Sequence, residues 1–135
     1  MTIKPGTVAF WYDLFPGSDK FVYFLGTYID KAGLEHACYF TISSQTKWVS
    51  VPAKRREMLE MPKGAADYLH LVSYIQCWNE LGTIPLSQFH ALKCVTYRGE
   101  LPQFLPALRM IVENSDILSR RDIDKALAAI PVEKE

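Results

Sequence analysis

Apolar and polar residues alternate along three segments in the first third of the chain. Residues 6–15, 20–30 and 36–44 read GTVAFWYDLF, KFVYFLGTYID and HACYFTISS, and β-branched and aromatic side chains dominate them. The turn-forming stretches FPGSDK and DKAGLE separate the three segments. The pattern therefore predicts three strands joined by hairpins. Residues 21–25 are apolar on both faces, which predicts a strand covered on both sides, inside a barrel wall or under a helix.

The middle of the chain is more ambiguous. ADYLHLVSYIQCW, residues 66–78, predicts one long strand, although its apolar positions also fit a helical period. We favour a strand because Val, Tyr and Ile dominate and a Pro62 turn precedes it. LSQFHAL predicts a short helix capped by Ser87, and KCVTYRG predicts a last strand that ends at Gly99.

The C-terminal quarter predicts two helices. Apolar residues form one helical stripe in LPQFLPALRMIVENS, where Pro106 predicts a late start or a bend. Ser119 and Asp122 resemble a capping box at the start of a second helix, which should run to Ile130. The tail PVEKE is expected to fray.

These elements define the expected fold class. About five mostly antiparallel strands followed by two helices indicate a mainly β or α+β protein, built on a small curled sheet or barrel. With 135 residues, of which 49% are hydrophobic, the chain is expected to form a single domain over residues 1–135.

Composition excludes several classes of function. The formal net charge is zero and 22% of residues are charged, which argues against disorder and against a globally basic nucleic-acid coat. No apolar run is long enough to span a membrane. Three cysteines without CxxC spacing argue against a disulfide framework or a zinc finger, and suggest a reducing cytoplasm. Phosphate-loop, zinc-peptidase and esterase motifs are missing from the sequence, and we expect no metal and no cofactor.

The end of the third predicted strand has an unusual run of polar residues. In CYFTISSQ, residues 38–45, Thr41 and Ser43 share one face, and Ser44 and Gln45 follow. This run is ordinary solvent exposure or one wall of a site. His36 and Cys38 also share a strand face, so a catalytic dyad is a candidate there, but a solvent-facing structural histidine is the more common outcome.

Positive charge concentrates between residues 47 and 63. Two glutamates and five cations give this segment a local charge of +3, next to Trp48; the cations are Lys47, Lys54, Arg55, Arg56 and Lys63. Clustered cations attract phosphates, and a neighbouring aromatic ring can stack on an unpaired base. The basic segment therefore predicts a single-stranded RNA contact, with a solvated loop as the alternative.

A family resemblance connects these elements. The order KPGTVAFWYDL, DKFVYFLGTYID, HACYFTISSQ, YIQCW and YRGELPQFLPALRMIVENSDILSRRDI resembles the PemK/MazF-like toxins of type II toxin–antitoxin systems. The resemblance runs from Pro5 to about Ile123, and the Gly99-Glu100-Leu101 and 115–119 segments carry it best.

The resemblance implies an SH3-like barrel, a homodimer, a cognate antitoxin protein and metal-free cleavage of single-stranded RNA; the expected cytoplasmic location comes from the cysteine usage. The family's arginine and its hydroxyl position match Lys20 and one of Thr41, Ser43 or Ser44 here. A lysine lacks the planar fork with which arginine grips two phosphate oxygens. The alternatives are therefore a non-catalytic barrel that binds RNA or a partner protein, and an unrelated α+β interaction domain.

Strand pairing leads to an expectation about the site. If the second and third strands form a hairpin, Lys20 and Ser43 lie across from each other and converge on one phosphate. Lys20 would neutralise the phosphoryl oxygens while hydroxyls donate hydrogen bonds. Asp19 and His36 are the candidates for a general base.

Overall fold

The computed structural model of the chain describes residues 3–15, 18–69, 71–78 and 81–131. The predicted turn at residues 16–17, His70 within the predicted long strand, and residues 132–135 of the predicted tail lie outside this part. The elements are β1 (Thr7–Phe15), β2 (Ser18–Ile29), β3 (Glu35–Ser43), α1 (Pro52–Arg55), β4 (Met58–Met61), β5 (Ser73–Gln76), β6 (Gly82–Pro85), α2 (Leu86–Ala91), β7 (Val95–Glu100), α3 (Leu105–Glu113) and α4 (Arg120–Ala129).

One antiparallel sheet organises the described residues. Its order is β4-β5-β3-β2-β1-β7, and β6 pairs with β3 beside β5. The long β1–β2 and β2–β3 hairpins form its centre, as their alternating sequences predict. The predicted α+β class, with a mostly antiparallel sheet followed by helices, is confirmed.

Two details of the predicted architecture are corrected. Over the described residues the sheet has seven strands instead of about five, and it is not closed into a barrel. The extra strands are short: β4 lies in the predicted basic loop, and β6 lies just before the predicted short helix. Each has four residues, too few to produce a recognisable alternation.

The predicted long strand at residues 66–78 is also shorter than expected. Among the described residues of this segment the strand is limited to Ser73–Gln76, and residues 63–68 form turns and bends before it. Tyr68 and Leu69 pack on the core from this irregular segment, so their apolar character reflects burial outside a strand.

Both faces of the sheet are covered, which explains the continuous apolar run in β2. Tyr23 and Leu25 belong to the core between the sheet and helices α3 and α4. Val22 and Phe24 belong to a smaller cluster on the opposite face, where Phe89 of α2 contributes. The prediction of a strand covered on both sides is confirmed.

Gly26 lets α4 approach the sheet closely. Its φ of 140° lies in a region that side chains disfavour, and a Cβ atom would clash with the Ala129 carbonyl oxygen. The strand register also shifts between Phe24 and Gly26. This bulge and the missing side chain together seat the end of α4 against β2.

The C-terminal helices follow their sequence signals. A 3₁₀ turn at Pro102–Phe104 precedes α3, which begins at Leu105, so the predicted late start near Pro106 is confirmed. The Ser119 hydroxyl accepts a hydrogen bond from the Asp122 amide at 3.1 Å, as expected of a helix cap. Helix α2 is also present, but its N-cap residue is Pro85, and the predicted cap Ser87 lies inside its first turn. Within the described residues, none of the helices has the length and apolar character needed to cross a membrane.

Candidate functional site

The start of β2 and the end of β3 lie side by side. Phe21 pairs with Ile42, so Lys20 and Ser43 each lie one residue further toward the same end of the sheet. On its other side Ser43 pairs with Tyr74 of β5. The antiparallel register therefore brings together the predicted cation and one predicted hydroxyl from chain positions more than twenty residues apart.

An open cleft of about 390 Å³ lies at this end of the sheet. Its polar lining comes from both strand ends and from β5, and consists of Asp19, Lys20, Ser43, Ser44, Gln45 and Ser73. Its volume falls within the range of about 300–1,000 Å³ that is typical of small-molecule sites. Lys20, Ser43 and Ser44, predicted from the sequence, thus share one cleft.

The turn after β3 orients the Ser43 hydroxyl. Its oxygen accepts a hydrogen bond from the Gln45 amide at 3.1 Å. A hydroxyl has one hydrogen to donate besides its acceptor lone pairs, so this contact leaves the O–H available. Ser44 and Gln45 are exposed, whereas Ser43 and Lys20 are half-buried. The cleft therefore offers one cation and several hydrogen-bond donors.

Thr41 is separated from this group. Its side chain is buried, and its hydroxyl donates to the side-chain oxygen of Gln76 at 3.0 Å in the interior. That hydrogen bond satisfies two buried polar groups and joins β3 to β5. Thr41 does not line the cleft, and the contacts that it makes are structural.

The two residues of the candidate dyad, His36 and Cys38, have other environments in the structure. The His36 Nε2 atom lies 2.7 Å from Asp30 Oδ2, and its ring stacks on Tyr28. Cys38 is completely buried, and burial raises the pKa of its thiol to about 12. A thiol in this environment stays protonated near neutral pH, which makes it a poor nucleophile.

Some cations of the basic segment contact other residues of the protein, and others are exposed to solvent. Lys54 lies 3.4 Å from the ring centre of Trp48 and 4.5 Å from that of Trp78, so two indoles hold its ammonium group. Arg55 donates to the Met58 carbonyl at 3.1 Å and pairs with Glu60 at 3.6 Å.

Three further cations of this segment, Lys47, Arg56 and Lys63, are exposed. Lys47 also lies 4.6 Å from the Trp48 ring centre. Arg55 packs beside β5, because its guanidinium lies 5.5 Å from the ring centre of Tyr74, the pairing partner of Ser43. Among the described residues, those that line the cleft include no member of the basic segment, and two of its six predicted RNA-binding residues, Trp48 and Lys54, are packed against each other.

Sequence reasoning missed the aromatic wall of the cleft. Phe10, Phe21 and Tyr68 line it together with Ile42, Leu69 and Leu71. Phe10 and Phe21 are only half-buried, although their strands read as core. Their one signal in the sequence is proximity to the strand ends, where the covering layers of a sheet stop.

Within the described residues, no three His, Cys, Asp or Glu side chains are placed to hold a metal ion together. Comparisons of the chain with protein-family models, curated proteins and solved structures found no match. The cleft itself is therefore the feature that points to a function.

Proposed function

We propose that this protein is a PemK/MazF-like endoribonuclease that cleaves single-stranded RNA without a metal. The observation that supports the proposal is the convergence of Lys20, Ser43 and Ser44 on one open cleft. A phosphodiester needs a cation against its charged oxygens and donors for the oxygens that gain charge during cleavage. This group of side chains supplies both.

The proposed reaction is a transesterification. The ribose 2′-oxygen attacks the adjacent phosphorus, and the bond from phosphorus to the 5′-oxygen breaks. Lys20 stabilises the charge that develops on the non-bridging oxygens, and the Ser43 and Ser44 hydroxyls donate to the same group. The products are a 2′,3′-cyclic phosphate and a 5′-hydroxyl end.

Proton transfer is assigned to Asp19 and water. Asp19 lines the cleft next to Lys20, whereas His36 is bound to Asp30 near the other end of the same hairpin. In the proposal, the Asp19 carboxylate accepts the proton of the 2′-hydroxyl, a water molecule protonates the departing 5′-oxygen, and the hydroxide left behind takes the proton back from Asp19. The protons and the electron pairs balance without a further reactant.

Lysine in place of arginine lowers the expected rate. An ammonium is a point charge, so it neutralises a phosphate without the bidentate grip of a guanidinium. The same substitution favours a second candidate function, in which the cleft binds single-stranded RNA or a partner protein without cleaving it.

Chelation and product chemistry test the proposed reaction. Purified protein incubated with single-stranded RNA and excess chelator should produce fragments with 2′,3′-cyclic phosphate ends, resolved by gel and mass spectrometry. Activity that disappears with chelator and returns with a divalent ion would contradict the mechanism.

A matched pair of variants tests the role of Lys20. Lys20→Ala should reduce cleavage by about 100-fold or more, as expected for the loss of one preorganised charge contact. Lys31→Ala removes the same charge from the exposed β2–β3 turn and should leave cleavage unchanged. Equal activity of Lys20→Ala and wild type would contradict the assignment.

The biological setting belongs to the same proposal. We infer a cytoplasmic toxin that acts as a homodimer and is neutralised by a cognate antitoxin protein. Expression without a partner should then stop bacterial growth, and Lys20→Ala should restore it. Normal growth with the wild-type protein, together with RNA binding in vitro, would favour the binding-only candidate.

A further inference from the structure

The aromatic wall of the cleft extends along the sheet by one more ring. The Phe10 and Phe21 rings meet edge to face with centres 4.7 Å apart, and Tyr68 stacks on Phe21 with centres 5.4 Å apart and planes inclined by 19°. Tyr12, which is 50% exposed, packs on the outer side of Phe10. We call these four residues the aromatic strip. Phe21, in the middle of the strip, follows Lys20 in β2, and the two side chains project from opposite faces of the strand at the end of the sheet where the cleft lies.

A cation lies at the far end of the strip. The Arg98 guanidinium lies 5.1 Å from the ring centre of Tyr68, and Arg98 is exposed. Val8 pairs with Gly99 and Ala9 pairs with Tyr97, so Arg98 is the extra residue of a bulge in β7. Bulges frequently re-aim a side chain beside a functional site. The adjacent Gly99 has a φ of 135°, which side chains disfavour.

Tyr68 also separates two hollows. On one side is the cleft that holds Lys20 and Ser43. On the other side, Tyr68, Tyr97, Arg98 and Asp67 line a second hollow of about 450 Å³. Because Tyr68 lines both hollows, a ligand longer than one phosphate can extend from the cleft past Tyr68 to Arg98.

We propose that Tyr68 and Arg98 form a second subsite, which binds the unpaired base and the phosphate next to the one held by Lys20. This inference rests on the proposed function, because it assumes RNA in the cleft. The base enters between the Tyr68 ring and the Arg98 guanidinium, both of which are flat surfaces on which bases stack. Arg98 moves outward on its flexible stem, covers the base and contacts the following phosphate.

The subsite makes the preferred ligand a strand with at least one unpaired base. A mononucleotide phosphate reaches Lys20 alone, whereas a longer single strand reaches Lys20, Tyr68 and Arg98. Duplex RNA presents no free base to the gap, because its bases are stacked on each other. The subsite thus supplies a physical reason for selecting single strands.

Binding of strands with and without bases tests the subsite. The probe is a short single-stranded 2′-O-methyl RNA, which lacks the attacking 2′-hydroxyl; its partner has the same backbone with every base replaced by hydrogen. Tyr68→Ala should weaken binding of the normal strand by about 10- to 100-fold, as expected for the loss of one base stack. It should leave binding of the abasic strand unchanged.

Three control variants separate the contributions of the Tyr68 ring, the Tyr68 hydroxyl and the Arg98 charge to binding. Tyr68→Phe keeps the ring and should bind like wild type, since its hydroxyl has no hydrogen-bond partner among the described residues. Arg98→Ala should lower the slope of log affinity against log salt by about 0.7, the value for one single-strand phosphate contact. Arg98→Lys should restore that slope while binding the normal strand more weakly than wild type.

The outcomes distinguish the two proposals. If Lys20→Ala leaves the affinity for both strands unchanged, the proposed function is wrong and the subsite falls with it. If Lys20→Ala weakens binding of both strands but Tyr68→Ala weakens neither, only the subsite is wrong. If circular dichroism shows that Tyr68→Ala does not fold, the affinities of the wild-type protein for the normal and the abasic strand are compared instead. Equal affinity for the two strands would overturn the subsite.

Discussion

Single side chains in the basic segment have different environments despite similar chemistry. Lys54 contacts two indole rings, whereas Arg56 in the next turn is exposed. A cation held between aromatic rings stabilises the fold, and an exposed one remains available for a phosphate. The local charge of the segment therefore overstates the number of cations that RNA can use.

Two single substitutions separate these roles. Lys54→Ala should lower the free energy of unfolding by about 1–2 kcal/mol, because it removes both cation–π contacts. Arg56→Ala should change stability by less than about 0.5 kcal/mol and weaken RNA binding at low salt. Urea denaturation and fluorescence anisotropy measure the two effects. A destabilised Arg56→Ala, or a Lys54→Ala of wild-type stability, would reverse the assignment.

Residue periodicity predicts part of the site and misplaces part of it. Alternation along β3 correctly puts Thr41 and Ser43 on one face, but it contains no information about the partner strand. The pairing of Ile42 with Ile75 sets Thr41 beside Gln76, which binds its hydroxyl. Local alternation does not predict a contact between residues 35 positions apart, so Thr41 and Ser43 look equivalent in the sequence.

At the scale of elements, one buried carboxylate connects the basic segment to the helices. Glu57, between α1 and β4, is 4% exposed. It accepts hydrogen bonds from the Ser115 hydroxyl and from the amides of Asp116 and Ile117, the latter two at 3.0 and 3.1 Å. These donors lie in the α3–α4 connection, part of the segment that best carries the toxin resemblance. Glu57 fixes this connection to the sheet edge.

Removing that carboxylate should destabilise the protein. Glu57→Ala leaves several donors without an acceptor in a mostly buried place, at a cost of about 2–3 kcal/mol. Glu60→Ala is the matched control: its side chain is 51% exposed and pairs with Arg55 at 3.6 Å, so its loss should cost less than about 1 kcal/mol. Chemical denaturation compares the two. Equal losses would mean that the hydrogen bonds of Glu57 contribute no more than an exposed ion pair.

Elements with strong local signals were predicted best. The first three strands, the start of α3 near Pro106 and the Ser119 cap all follow from alternation, proline and capping chemistry. β4 and β6 were missed because four residues show little periodicity, and they form by pairing with β5 and β3. Tertiary pairing, which a local pattern does not encode, completes the sheet and leaves it open.

At the scale of the whole molecule, two groups of polar residues lie at opposite ends of the β2–β3 hairpin. The cleft lies at the end that contains Lys20 and Ser43, whereas Asp30 and His36 lie toward the turn that joins the strands. The strand rise puts roughly 25 Å between Lys20 and Tyr28, on which His36 stacks. Substitutions at the turn should therefore affect stability without affecting the chemistry of the cleft.

Acid titration tests this separation. The hydrogen bond from His36 and those from the Leu34 and Ala32 amides hold the pKa of Asp30 below its ordinary value of 3.8. A carboxylate whose pKa is lower in the folded than in the unfolded protein contributes stability above its unfolded pKa, and that contribution is lost as the pH falls through the folded pKa.

Asp30→Asn removes the titrating group, so wild type should be the more stable protein near pH 6 and should lose that advantage below about pH 4. Denaturant midpoints measured from pH 2 to 7 would show two converging curves, and curves that stay parallel would contradict the account. RNA binding and cleavage by Asp30→Asn at neutral pH should equal those of wild type, because the substituted side chain lies at the opposite end of the hairpin from Lys20.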